Sequence, residues 1–313
     1  MNRMATQTYP TFALHGEGEG KRALVTGLRG FTGYYVAREL AEAGYRVFGT
    51  VMPGEESGPD IFEADLCDRA CVAAMVEQVQ PDVVVHLAGI AFVAHSDADL
   101  IYRVNVVGTR NLLEALADAR HKASAVLLAS SANIYGNAEV ALIDENVAPA
   151  PANDYAVSKL AMEYMARLWM DKLPIIIARP FNYSGRGQDE NFLLPKIISH
   201  FRRGEPTIEL GNLAISRDFS DVRMVASSYR RLLAASPAGQ AFNICSGRSS
   251  SLGEVIDTLA QIAGYRIEVQ VNPAFLRAND VLSLAGSNAK LASVVGAIEP
   301  PPLAETLRWM YQA

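Results

Sequence analysis

Between Lys21 and Pro180, short apolar runs alternate with stretches of helical period. The runs at 22–26, 46–51, 82–88, 125–129 and 175–178 are rich in Val, Ile, Leu and Ala, and nearly continuous. Strands covered on both faces have that pattern. The segments 32–43, 68–80, 100–119 and 153–172 repeat apolar positions at helical spacing. Gly44 stands where the first helix needs a left-handed cap, and Pro81 and Pro174 lie just beyond the second and the last. This alternation predicts an α/β fold with a doubly wound parallel sheet. After Pro180 the rhythm breaks into a polar loop at 182–190 and helices at 193–203, 252–263 and 303–311. Strand-like pieces lie near 208–210, 241–245 and 266–271, which predicts a smaller, mixed C-terminal lobe.

The first strand runs into Thr26-Gly-Leu-Arg-Gly-Phe-Thr-Gly33. Gly27, Gly30 and Gly33 are three apart at a strand–helix junction. One allows the tight turn, one lets a diphosphate approach, and one lets the helix pack closely. The helix N-terminus then faces the anion, with Phe31 and Thr32 in its first turn. The sheet is accordingly of Rossmann type, and the ligand a dinucleotide. After the second strand stand Thr50, Val51 and Met52, with no acid to repel a 2′-phosphate, whereas Arg29 can attract one. NADP(H) is favoured, with NAD(H) still open; Arg29 can equally be a solvated surface residue. Asp65-Leu66 follows the third strand and His86-Leu87-Ala88-Gly89 closes the fourth, both at the edge where the cofactor lies. Asp65 can hold an adenine amino group or cap the next helix. For His86 a packed core role is favoured over a catalytic one.

Composition removes several classes. The chain has 313 residues, half of them hydrophobic, enough for a large core. Lys and Arg total 28 against 34 Asp and Glu, a net charge of −6 that argues against nucleic acid. Cys67 and Cys71 have helical spacing, but no second pair completes a metal site; with Cys245 they read as free thiols in a reducing compartment. No run approaches the roughly 18 apolar residues that span a bilayer. Residues 1–20 are polar and glycine-rich, lack signal-peptide regions and are read as a flexible extension. A cytoplasmic location is expected.

Tyr155-Ala-Val-Ser-Lys159 places a phenol and an ammonium on one helical face, and a nearby cation favours phenolate, letting Tyr155 exchange a proton nearer neutral pH. Ser130-Ser-Ala-Asn-Ile-Tyr-Gly136, at the end of the fifth strand, supplies a serine that can hydrogen-bond the same substrate oxygen. The three motifs together resemble the extended short-chain dehydrogenase/reductase family, which acts on nucleotide sugars, from about Lys21 to the C-terminus. The resemblance implies a catalytic serine five places before the glycine, Ser131 rather than Ser130, with Tyr155 and Lys159. Dehydratases of the family carry acids just after that serine. Here Ala132 and Asn133 stand there, and neither is a general base at neutral pH.

Segments 179–188, 211–222, 242–247 and 276–281 resemble the reductases of GDP-4-dehydro-6-deoxy-D-mannose. That likeness implies Asn182 and Arg277 on the pyrophosphate, Arg217 on the nucleotide, Asp280 on its ribose, and Ser131 on the sugar. Ala278 departs from the family's Arg-Pro. The division expected is a dinucleotide domain at 21–183, to which 214–246 returns, and a nucleotide-sugar lobe from 184–213 and 247–313. The implied activity is hydride transfer to C4 of a GDP-linked 4-keto-6-deoxy sugar, in making surface-polysaccharide precursors. A 4-epimerase holding NAD and a non-catalytic dinucleotide sensor are the alternatives. Helices 100–119 and 153–172 are apolar on more than one face. The resemblance implies a homodimer built on them; burial under the chain's own lobe is the other reading.

Overall fold

The computed structural model describes residues 16–91, 97–213, 215–273 and 283–313. The chain begins β1 (Arg22–Thr26), α1 (Phe31–Glu42), β2 (Arg46–Val51), β3 (Ile61–Glu63), α2 (Arg69–Val79) and β4 (Val83–His86). It continues through α3 (Ala98–Tyr102), a π-helical stretch (Arg103–Gly108), α4 (Thr109–Asp118), β5 (Ala125–Ala129), a 3₁₀ turn (Ala132–Tyr135), α5 (Asp154–Arg167) and β6 (Ile175–Pro180). Next come β7 (Asn182–Ser184), α6 (Leu193–Arg203), β8 (Thr207–Leu210), β9 (Ser216–Arg217), β10 (Phe219–Asp221), α7 (Val222–Ala235) and β11 (Gln240–Ile244). The chain closes through β12 (Ser250–Ser251), α8 (Leu252–Ala263), β13 (Glu268–Val271), β14 (Ser283–Leu284), α9 (Ala289–Val295) and α10 (Leu303–Tyr311).

Seven parallel strands form the main sheet, in the order β11-β6-β5-β4-β1-β2-β3. Within each continuous apolar run, alternate residues serve opposite faces. Ala23 and Val25 of β1, with Val83 and Val85 of β4, pack in one layer with α1 and α7. Leu24, Val84, Val126 and Leu128 pack in the other with α2, α4 and α5. Strand order reverses between β1 and β4, so the helices that follow them leave on opposite faces and open a crevice at the carboxyl edge. The smaller lobe packs α6, α8 and α10 around Leu194, Phe201, Leu259 and Leu307, with β8 and β13 as a parallel pair.

Three elements differ from expectation. The helix expected at 100–119 is broken by the π-helical stretch. Helix α7 is additional: Asp221 caps it, and Val225, Tyr229 and Leu232 recur along its buried side. The expected extension at 1–20 does not hold at its end, where 16–20 form turns and Glu17 meets Arg230 at 2.8 Å. Among the described residues, no helix is long and apolar enough to cross a membrane.

Candidate active site

Gly27 adopts φ +71°, a conformation side chains resist, and a Cβ there would come within 3.1 Å of Ala88. A Cβ on Gly33 would fall on the Gly27 carbonyl oxygen. Gly30 begins α1 with no side-chain cap, and the first turn (Phe31, Thr32, Gly33) holds no acid. Amides left this way suit a diphosphate, so the cradle fits a dinucleotide. Arg29 is exposed and lies 3.9 Å from Glu56, a weak surface pair. Counting along the sequence found no acid after β2, yet the fold brings two carboxylates back. Glu55 accepts from the Met52 amide at 2.7 Å, and Glu56 faces Arg29.

The opposite wall is the end of β4. Thr26 Oγ1 accepts from the amides of Leu87 and Ala88, both at 3.1 Å, so its own proton goes to His86 Nδ1 at 2.7 Å. His86 Nε2–H then donates to Thr109 Oγ1 at 2.8 Å, and Thr109 donates to the Asn105 carbonyl. Burial, aided by the Lys159 charge, lowers the His86 pKa to about 3. It is a neutral, packed histidine. Asn105, on the π-helical stretch, accepts from the Ile90 amide at 2.9 Å and donates to Ser158 Oγ at 3.0 Å. Its Oδ1 would lie 2.8 Å from a Cβ on Gly89. Sequence reasoning missed Asn105; the signal was a polar residue on an otherwise apolar helical face. Asp65 does not cap α2. It accepts from the Cys67 amide at 2.8 Å, while Asp68 is the cap and the Leu66 carbonyl accepts from Asn111 Nδ2.

Ser131 caps the 3₁₀ turn after β5, its Oγ accepting from the Asn133 amide at 3.1 Å. The Tyr155 hydroxyl is its neighbour and is acted on by it electrostatically, so strand end and helix α5 bring these two residues together. Burial pushes Tyr155 up to about 12, against the influence of Ser131, and the Tyr183 phenol adds to the rise. This corrects the expectation of an easier phenolate: desolvation prevails, and the Lys159 ammonium is turned to the Ala129 carbonyl at 2.9 Å. Lys159 is lowered to about 8 by burial, with the Glu163 carboxylate opposing.

A cavity of about 30 Å³ beside Ser131 is lined by Ala132, Asn133, Phe181, Asn182 and Leu284, so Asn182 reaches the same place. Arg217 lies on β9, opposite Leu284 in register, and donates to the Ser216 carbonyl at 3.0 Å. Arg277 and Asp280 lie outside the described residues. No group of three or more His, Cys, Asp or Glu suited to a metal occurs among the described residues.

A parallel doubly wound sheet with this glycine cradle at its switch point is that of an NAD(P)-binding oxidoreductase. The profile of the NAD dependent epimerase/dehydratase family matches residues 23–245, and the chain belongs to that family. It is 36% identical over 278 residues to the GDP-6-deoxy-D-talose 4-dehydrogenase of Aggregatibacter actinomycetemcomitans, covering 88% of this chain and 91% of that one. It is 36% identical over 287 residues to the GDP-6-deoxy-D-mannose reductase of Pseudomonas aeruginosa, with the same coverage. Among solved structures, a Burkholderia cenocepacia J2315 protein described as a candidate epimerase is 53% identical, with TM-score 0.89 over 94% of this chain and 98% of that one. RMD from Pseudomonas aeruginosa complexed with NADPH gives 33% and TM-score 0.81 over 93% and 98%. The Thermus thermophilus UDP-glucose 4-epimerase complex with NAD gives 27% and 0.83 over 93% and 98%. The substrate class supported by this similarity is a nucleotide sugar.

Proposed function

We propose that the chain reduces C4 of a GDP-linked 4-keto-6-deoxy sugar. The observation that carries this reading is a buried Tyr155 phenol, kept protonated by burial and neighboured by the buried Ser131 hydroxyl. A phenol in that state is ready to give a proton to a carbonyl oxygen. Bound nicotinamide supplies the hydride to C4. Tyr155 protonates O4, so the ketone becomes an alcohol, and Ser131 orients that oxygen. Lys159, as an ammonium, holds the nicotinamide ribose. Ala132 and Asn133 leave no acid for dehydration. Asn182, Arg217, Arg277 and Asp280 bind the GDP moiety, as bidentate arginines suit phosphates. Two relatives named for GDP-linked 6-deoxyhexoses support that choice.

The cofactor is held by the turn from Gly27 to Gly33, by Asp65 and Leu66, and by Leu87, Ala88 and Gly89. NADP(H) is proposed from Arg29, with Glu55 and Glu56 acting against it. Arg29→Ala should weaken NADPH about tenfold and leave NADH unchanged in fluorescence titration. The assignment is tested by giving purified protein NADPH and GDP-4-keto-6-deoxymannose and following nicotinamide absorbance. NMR of the product reads the configuration at C4. No loss of absorbance would sink it.

The second reading, a 4-epimerase, is favoured by the epimerases among the similar structures. It requires NAD retained through purification, whereas a reductase exchanges its cofactor with solution. We also propose a homodimer through α3 to α5, where Leu100, Val107, Tyr164 and Leu168 are exposed.

A further inference from the structure

A buried ion pair stands one helical turn beyond Lys159. Glu163, on α5, is wholly buried and accepts two parallel bonds from Arg179 of β6, at 2.9 Å from Nε and 2.6 Å from Nη2. The remaining Arg179 nitrogen donates to the Tyr135 hydroxyl at 2.8 Å, and that hydroxyl donates to Asn243 Oδ1 at 2.8 Å. Tyr135 ends the turn that Ser131 caps. One line of bonds thus joins the helix of Tyr155 and Lys159, strand β6, the Ser131 turn and edge strand β11. Desolvating two ions offsets most of their attraction, so such a pair is weak ground for stability alone. Its location argues for a second role.

We infer that Glu163, fixed by Arg179, is a positioning residue for the reaction. It keeps Lys159 an ammonium and, through Arg179 and Tyr135, holds the Ser131 turn against the helix of Tyr155. The inference rests on the oxidoreductase reading above. Around Lys159 stand Tyr155 and Glu163 from α5, His86 from β4 and the Ala129 carbonyl from β5, with Arg179 of β6 and Tyr135 behind Glu163. His86 is neutral, so Glu163 is the negative charge of that set. Burial already brings Lys159 to about 8, and Glu163 opposes that fall. Without the carboxylate, the ammonium discharges at lower pH.

The test measures NADPH affinity by fluorescence across pH 6 to 10, in wild type and in Glu163→Gln. Wild-type affinity should fall as pH rises past about 8, and the variant's limb should move about one pH unit lower. Since the variant strands a buried guanidinium, Glu163→Gln combined with Arg179→Met removes both charges and should fold, with a smaller limb shift in the same direction. Lower melting temperatures with the limb fixed at its wild-type pH in both variants would make the pair merely structural and overturn the inference. Tyr135→Phe keeps the pair but breaks the link to the turn. It should lower kcat about tenfold with the limb unmoved, and an unchanged kcat overturns the link. Failure of wild type to bind NADPH or NADH at any pH would instead remove the cofactor reading, and this inference with it.

Discussion

Burial shifts Tyr155 and His86 in opposite directions to one end: both are neutral at physiological pH. For Tyr155 the hydroxyl is what the proposed chemistry needs. Tyr155→Phe should cut turnover at least a hundredfold, and Ser131→Ala about tenfold, with melting temperatures nearly unchanged. Equal loss of turnover and stability would mean that these side chains only support the fold. For His86 the consequence is acid lability. Its pKa is depressed from 6.5 to about 3, so the unfolded chain binds a proton between those values that the folded chain refuses. Stability from this group is complete above pH 6.5 and declines as pH falls toward 3, by a few kcal/mol overall. Urea midpoints at pH 7 and pH 4 should drop further for wild type than for His86→Gln. Parallel drops would assign the lability to other groups. Lys159 carries the same sign at the alkaline end, with stability rising from about pH 8 to 10.5 as its buried charge is shed.

At the scale of elements, the helices α6, α8 and α10 and the strands β1, β2 and β5 were legible to their boundaries, because each bears a strong period between clear breakers. The π-helical stretch was not, since its neighbours' apolar period runs through it and only tertiary contact with Ile90 and Ser158 shows why the turn widens. The site divides similarly. Tyr155 and Lys159 stood out by helical spacing and Ser131 through the family resemblance, whereas Glu163 and Arg179 find each other only when α5 meets β6. The Glu55 and Glu56 carboxylates likewise return through a loop. Asp218 belongs to this non-local set. Buried beside Arg217, it accepts from the Ser246 hydroxyl at 2.6 Å and from the amides of Ser246 at 2.8 Å and Gly247 at 2.9 Å, tying β9 to the turn after β11. Burial raises its carboxyl pKa while those bonds oppose the rise. Asp218→Asn should loosen Arg217 and raise KM for the proposed GDP-linked sugar about tenfold, with cofactor affinity unaltered. An equal loss of both would place the effect on the whole fold.

For the molecule as a whole, Tyr164 on α5 and Leu168 just beyond its end are 54% and 80% exposed, in the same layer as Leu100 and Val107. Apolar patches of this kind mark contact surfaces. Leu168→Glu with Tyr164→Glu should convert a dimer to a monomer in light scattering, and a wild-type monomer would refute the proposed assembly. Strand β11 has a different bearing. It pairs with β6, but 59 residues lie between Pro180 and Gln240, and they include α6 and β8 of the second lobe as well as α7. At about 5–20 residues per second, a ribosome leaves the β6 edge without its neighbour for roughly three to twelve seconds. An open strand edge is a template for foreign pairing. Nascent chains stalled near 190 should therefore be protease-sensitive and recruit chaperones, while those extended past 290 resist. The order of manufacture, as much as the finished contacts, decides when this sheet becomes safe from aggregation.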